Sequence, residues 1–207
     1  MNDTRGDTDD EVGRVGGRPL GLFGLSAGYF QRQLNLCKED MMPYVLFHDH
    51  FPETAERETR TVTVLKKSPS GLPPGHYSLL EMFCDEPKCD CRRVMFYVVS
   101  SRRRDLEAVV AYGWESRVFY AKWLHDDDPR MIDELEGPVL NLGSPQSELA
   151  PAVLEMIEQI ILPDRAYMER VKRHYAMVRK RIDRKTAPPK VPARGRRRKR
   201  PVRRRMR

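Results

Sequence analysis

From Glu58 onward the chain falls into short runs whose hydrophobic spacing can be read. Thr59–Lys66 holds the β-branched Thr61, Val62, Thr63 and Val64 and predicts a strand. Ser68–Gly75 is rich in Ser, Pro and Gly and predicts a turn-rich loop. Tyr77–Cys84 predicts a second strand, with Tyr77, Leu79, Glu81 and Phe83 on one face and Ser78, Leu80, Met82 and Cys84 on the other. Val94–Ser100 is apolar on both faces, which predicts a third, central strand covered on both sides. Leu106–Tyr112 predicts a fourth. The connections are short, so neighbouring strands should pair antiparallel.

After Gly113 the spacing lengthens to that of helices. Glu115–Leu124 presents Val118, Phe119, Trp123 and Leu124. Asp128 is placed to cap the next helix, with Pro129 at its first position and Gly137-Pro138 at its end. Ser147 predicts the cap of a third helix, with Pro151 in its first turn and Leu149, Val153, Leu154, Ile157, Ile160 and Ile161 on its buried face. Asp164 predicts the cap of a last helix carrying Tyr167, Val171, Val178 and Ile182 on one stripe. A run of strands followed by a run of helices predicts an α+β fold: an antiparallel sheet of about four strands, then about four helices. Residues 20–58 include Leu34, Leu36, Tyr44, Val45, Leu46, Phe47 and Phe51, but Pro43 and Pro52 exclude one long element there.

Composition divides the chain further. Of its 207 residues 40% are hydrophobic and 33% charged, which suits one domain with appendages. The expected organisation is a disordered acidic segment over 1–19, a single α+β domain over 20–183, and a disordered Arg/Lys-rich tail over 184–207. The net charge of +8 hides a split: residues 184–207 hold 13 Lys/Arg and no acid, whereas residues 1–183 hold 25 basic and 30 acidic residues, a net of −5. Such a tail is expected to bind a polyanion (RNA, DNA or the ribosome) through Arg194, Arg196, Arg197, Arg198, Lys199, Arg200, Arg203, Arg204 and Arg205. No apolar run is long enough for a membrane span, so no membrane partner is expected. Asp3, Asp7, Asp9, Asp10 and Glu11 stand where an export signal would need a basic and then an apolar stretch. The expected location is cytoplasmic, where cysteines serve as thiols or metal ligands rather than disulfides.

That expectation matters most at Phe83-Cys84-Asp85-Glu86-Pro87-Lys88-Cys89-Asp90-Cys91-Arg92-Arg93. Three cysteines lie at a C-x4-C-x-C spacing across the junction of two predicted strands. In an extended Cys-Asp-Cys the two thiols share one side. Cys84 returns from the opposite strand, so three sulfurs can converge, roughly 3.5–4 Å apart if they hold a tetrahedral zinc ion. Cys84, Cys89 and Cys91 are therefore candidate zinc ligands, and Arg92 and Arg93 stand close enough in sequence to favour thiolates. The fourth ligand is open among Cys37, His48, His50, His76, His125, His174 and water. Two other readings of the cysteines compete: a core Cys84 with Cys89 and Cys91 in a polar turn, and a redox disulfide between Cys84 and Cys91.

The stretch Cys-Asp-Glu-Pro-Lys-Cys-Asp-Cys-Arg-Arg-Val-Met, then Tyr-Gly-Trp-Glu-Ser with Phe-Tyr-Ala-Lys-Trp, then Ser-Pro-Gln-Ser-Glu-Leu-Ala and Arg-His-Tyr, resembles a family of uncharacterised bacterial proteins over about residues 58–180. Some relatives in that family end in a Cys-Pro-Cys-Gly zinc knuckle of the secretion-ATPase (SEC-C) type. This chain ends instead in Arg-Gly-Arg-Arg-Arg-Lys-Arg-Pro-Val-Arg-Arg-Arg. The resemblance implies a metal-binding-like bacterial protein and supplies no activity.

Other groupings have plainer readings. Trp114, Phe119, Tyr120 and Trp123 have helical spacing and are expected to pack on the sheet, with base stacking as the alternative. Asp126-Asp127-Asp128 reads as a helix N-terminus rather than a cation site. His174 reads as a packed histidine, and Arg102-Arg103-Arg104 as a solvated turn. No phosphate loop, nucleophile elbow or His-Glu-x-x-His is present, so no catalytic residue can be named. The leading expectation is a zinc-stabilised, non-enzymatic module with a basic tail for nucleic acid or a ribonucleoprotein. The alternatives are a metalloenzyme with an open zinc position, served by Asp85, Glu86 or Asp90 as base, and a thiol redox protein using Cys89 and Cys91.

Overall fold

The computed structural model describes residues 44–186 except Lys67 and Arg104. The acidic segment 1–19, Cys37 and the basic residues from Arg194 to Arg205 lie outside the described residues.

The four expected strands are present: β2 (Arg60–Val64), β3 (Gly75–Cys84), β4 (Arg93–Ser100) and β5 (Leu106–Gly113), joined as an antiparallel meander. Two short strands complete a six-stranded sheet. β1 (Tyr44–Leu46) pairs with the end of β3, with Tyr44 opposite Cys84, and β6 (Val139–Leu140) pairs with β5. Neither was expected, because two or three residues cannot display an alternation.

β1 and β2 lie along the same edge of β3. β1 pairs with Met82–Cys84 and β2 with Gly75–Leu79, which leaves Leu80 and Glu81 opposite neither strand. The chain between them folds into two short helices, α1 (Phe47–His50) and α2 (Pro52–Glu58). Pro52 opens α2, where its missing N–H costs nothing, so the residue expected to break a long element instead starts a short one.

The expected helices follow. α3 spans Arg117–Leu124 and α4 spans Pro129–Glu136, with Asp128 accepting the Arg130 N–H at its cap. α5 (Ala150–Met156) continues into a π turn over Ile157–Ile161, and α6 spans Arg165–Thr186. Asp164 caps α6 by accepting the Tyr167 N–H at 3.0 Å. Ser147 stands one turn before α5: its hydroxyl accepts the Leu149 N–H and donates to Glu107. The π turn displaces one expected core residue. Its i→i+5 bond, Leu162 N–H to the Ile157 carbonyl, widens the turn, so Ile157 and Ile161 stay buried while Ile160 is 40% exposed.

Both faces of β4 are buried, as its unbroken apolar run predicted. One face of the sheet carries Tyr77, Leu79, Phe83, Val94, Phe96, Val98 and Val110 and belongs to one core with Val153, Ile157, Ile161, Tyr167, Val171 and Val178 from the last helices. The other carries Leu80, Met82, Met95, Tyr97 and Val109. Each fully buried large apolar side chain is worth about 1.5–3 kcal/mol. Among the described residues no helix is long and apolar enough to cross a membrane.

Candidate metal centre

β3 ends at Cys84 and β4 begins at Arg93, so the cysteine turn is the connection of a β-hairpin. The ligand sulfurs of Cys84, Cys89 and Cys91 all lie within 4.8 Å of one another. Zinc–sulfur bonds of about 2.3 Å in a tetrahedron would hold them roughly 3.8 Å apart. Cys84 and Cys91 are buried and Cys89 is half-buried, so the cluster sits beneath the turn rather than on it.

Local hydrogen bonds alone do not fix this turn. Lys88 and Arg92 both have left-handed backbone, with φ of 63° and 47°. A residue with a side chain pays about 1 kcal/mol or more for that conformation and keeps it only where its surroundings over-determine it. Here they do. The Lys88 N–H donates to Asp183 at 3.1 Å, and Arg179 Nη1 donates to the carbonyls of Glu86 and Cys89 at 2.8 and 2.9 Å. Both partners come from α6. The Arg92 carbonyl accepts from the Tyr120 hydroxyl at 3.0 Å and the Trp114 N–H at 3.4 Å, and the Arg92 N–H donates to the Tyr175 hydroxyl at 3.4 Å. The aromatic cluster thus packs and braces the cysteine turn. Trp114 also meets Tyr175 edge-on at 5.2 Å, and Trp123 remains 37% exposed.

The thiols share protons unequally. Cys84 accepts the Cys91 thiol, and it also gains from the Glu86 N–H, the Cys89 thiol and the Arg179 cation. Against the opposing effect of burial, these lower its pKa from 9.0 to about 6. Cys91 is pushed up because it donates to Cys84 and because it is buried. Cys89 is pushed up by burial and by the Cys84 charge. One proton leaves easily and the other two are held, as expected for a coupled group of thiols.

The cation beside Cys84 is Arg179, not Arg92. The Arg92 guanidinium is engaged by Asp90 through two bonds, by Glu115 at 3.1 Å and by the Phe119 ring at 4.6 Å. Arg179 Nε and Nη2 are buried without a hydrogen-bond partner. A buried, half-satisfied guanidinium next to three thiols fits a centre with net negative charge, which three thiolates on one zinc ion would have.

No other His, Cys, Asp or Glu among the described residues joins the cluster. His76 bonds Thr63 near the far end of β3, and His125 ends α3 in left-handed conformation. His48 and His50 lie on α1. Asp90, one of the acids considered as a base, is committed to Arg92.

His174 belongs to a second polar cluster that sequence reasoning missed. Its Nδ1 lies 2.6 Å from Glu81 Oε2 and its Nε2 lies 3.0 Å from Glu58 Oε2. The Tyr167 hydroxyl donates to Glu81 Oε1 at 3.2 Å, Arg173 pairs with Glu58, and the Phe47 ring stacks on the imidazole at 4.0 Å. The one available signal was Glu81 in the core-facing set of β3: a charge at such a position requires a buried partner. The cluster sits at the gap between β1 and β2.

No protein-family model matches this chain, and no curated protein or solved structure matches it either.

Proposed function

We propose that the protein is a zinc-stabilised, non-enzymatic module that presents a basic C-terminal segment to nucleic acid or to a ribonucleoprotein. The observation that carries this reading is the convergence of Cys84, Cys89 and Cys91 beneath a turn gripped by Arg179 and Asp183 of α6. A metal held by the three thiolates would fasten the β3–β4 hairpin to the helix from which the basic segment continues. Its role is structural: metal binding adds directly to folding free energy. Binding would release the protons still held on Cys89 and Cys91. The segment from Arg194 to Arg205 would contact phosphates without reading sequence, so affinity would fall steeply with salt.

A second reading rests on the donor count. With three thiolates and no fourth donor among the described residues, a water could complete the zinc sphere and be activated there. One experiment separates the two. Metal content is measured on the purified full chain, and cobalt(II) is substituted to read the ligand set from its absorption spectrum. Four protein ligands support the structural role, with Cys37 as the donor to mutate first. Three with an exchangeable water support the enzyme. Absence of stoichiometric metal refutes both and leaves a thiol redox protein. Removal of residues 187–207 tests the basic segment: unchanged oligonucleotide affinity at equal salt refutes it.

A further inference from the structure

The charge of this chain is concentrated more sharply than a division into body and tail conveys. Residues 1–164 hold 18 basic and 28 acidic residues, a net of −10. Helix α6 holds nine Lys/Arg against Glu169 and Asp183. Several of these cations are committed. Lys172 pairs with Glu169, Arg173 with Glu58, Arg179 holds the cysteine turn, and Arg170 lies over the Tyr167 ring at 5.0 Å. Lys180 and Arg184 are exposed and have no carboxylate partner among the described residues. With Met177 and Arg181 they follow i, i+3, i+4, i+7 spacing, which places all four on one face of the helix.

That face borders an open cleft of about 470 Å³, lined by Phe51, Met177, Lys180, Arg181 and Arg184. Its floor is aromatic. The Phe51 ring stacks on Phe47 at 5.1 Å, and Phe47 stacks on His174 at 4.0 Å, so the ring is supported from behind. Arg181 is fixed by a bond from Nη1 to the His50 carbonyl at 2.8 Å, with its guanidinium carbon 5.5 Å from the Phe51 ring centre.

We infer that this cleft is a binding subsite for single-stranded nucleic acid on the folded body, separate from the basic segment that follows it. An unpaired base stacks on the Arg181 guanidinium, which lies over the Phe51 ring, and against Met177, and the flanking phosphates meet Lys180 and Arg184. A base inside a duplex cannot stack in this way, whereas a strand with exposed π-faces can, and such stacking tolerates any base. The cleft volume lies within the roughly 300–1,000 Å³ of ligand sites. The basic residues 187–207 follow α6 directly in sequence.

The test uses the full chain with fluorescein-labelled dT12, rU12 and a 12-base-pair duplex, read by anisotropy across a salt series. Lys180→Ala/Arg184→Ala removes two exposed, unpartnered cations. It should weaken binding of both single strands and lower the log–log salt slope by about 1.4. Phe51→Leu should weaken single-strand binding roughly fivefold or more and leave the duplex unaffected. Thermal melting verifies that the variants fold. Unchanged affinity in both variants overturns the inference, as does an equal loss for strand and duplex in Phe51→Leu. Vesicles of phosphatidylcholine with 30% phosphatidylglycerol that outbind the oligonucleotides, and lose binding in the same variants, would overturn it in favour of a membrane surface. Removing residues 187–207 keeps this inference apart from the proposal above. Single-strand preference that survives the deletion supports the cleft; preference that vanishes with the segment overturns it.

Discussion

Replacing His174 by phenylalanine probes a deeply buried carboxylate, Glu81. Glu81 has a side chain 4% exposed and His174 one that is 1% exposed. The aromatic replacement retains the stack with Phe47 but removes both imidazole bonds. Glu81 then keeps only the Tyr167 hydroxyl, so its carboxylate must stay charged in the core or take up a proton. Breaking a buried pair on one side typically costs about 3–5 kcal/mol, because the remaining charge is left uncompensated. The expected result in urea unfolding at pH 7 is a loss of about 3–4 kcal/mol, or roughly 10 °C in Tm for a domain of this size. Glu81→Leu/His174→Phe should recover most of it, since no charge is left buried, apart from about 1 kcal/mol for the unpaired Tyr167 hydroxyl. A loss below about 1 kcal/mol, or no recovery in the double variant, would refute the reasoning.

Three further outcomes are expected. Arg179→Met removes both carbonyl bonds to the cysteine turn and the cation beside Cys84; stability in urea unfolding should fall by about 1.5–3 kcal/mol, and an unchanged midpoint would contradict this. Gly113→Ala should destabilise by more than about 2 kcal/mol, because its Cβ would stand 2.1 Å from the Tyr120 hydroxyl and 2.5 Å from the Leu135 carbonyl; an unchanged melting curve would contradict this. Burial raises the pKa of Tyr44, Tyr120, Tyr167 and Tyr175, with the Glu81 carboxylate adding to the shift at Tyr167. Their contribution to stability is therefore complete below the ordinary tyrosine pKa of 10 and is lost as pH rises above it. Phenolate absorbance should show these hydroxyls ionising only together with alkaline unfolding, and free titration near pH 10 would refute their burial.

The amino-acid sequence determined the features that depend on local spacing. Thr61–Val64 and Val94–Ser100 alternate or run apolar over enough residues to select strands, and Asp128-Pro129 and Asp164 mark helix starts through their own backbone geometry. The cysteine cluster was legible for a related reason: the C-x4-C-x-C spacing across a strand junction lets Cys84 return to Cys89 and Cys91, although the turn itself is held by Arg179 and Asp183 of α6. β1 and β6 were not legible, because so few residues hold no period and owe their conformation to the edge they join. Tertiary structure alone decided which cation serves Cys84, since Arg179 is 95 residues from it whereas Arg92 is eight away and faces acids. It alone paired Glu81 with His174 and set Phe51 beside Lys180 and Arg184. Periodicity specifies which face of an element is buried. It does not specify which residue of another element lies opposite, because that depends on how helices sit on the sheet. The polar groups that give this protein its chemistry find their partners across those contacts.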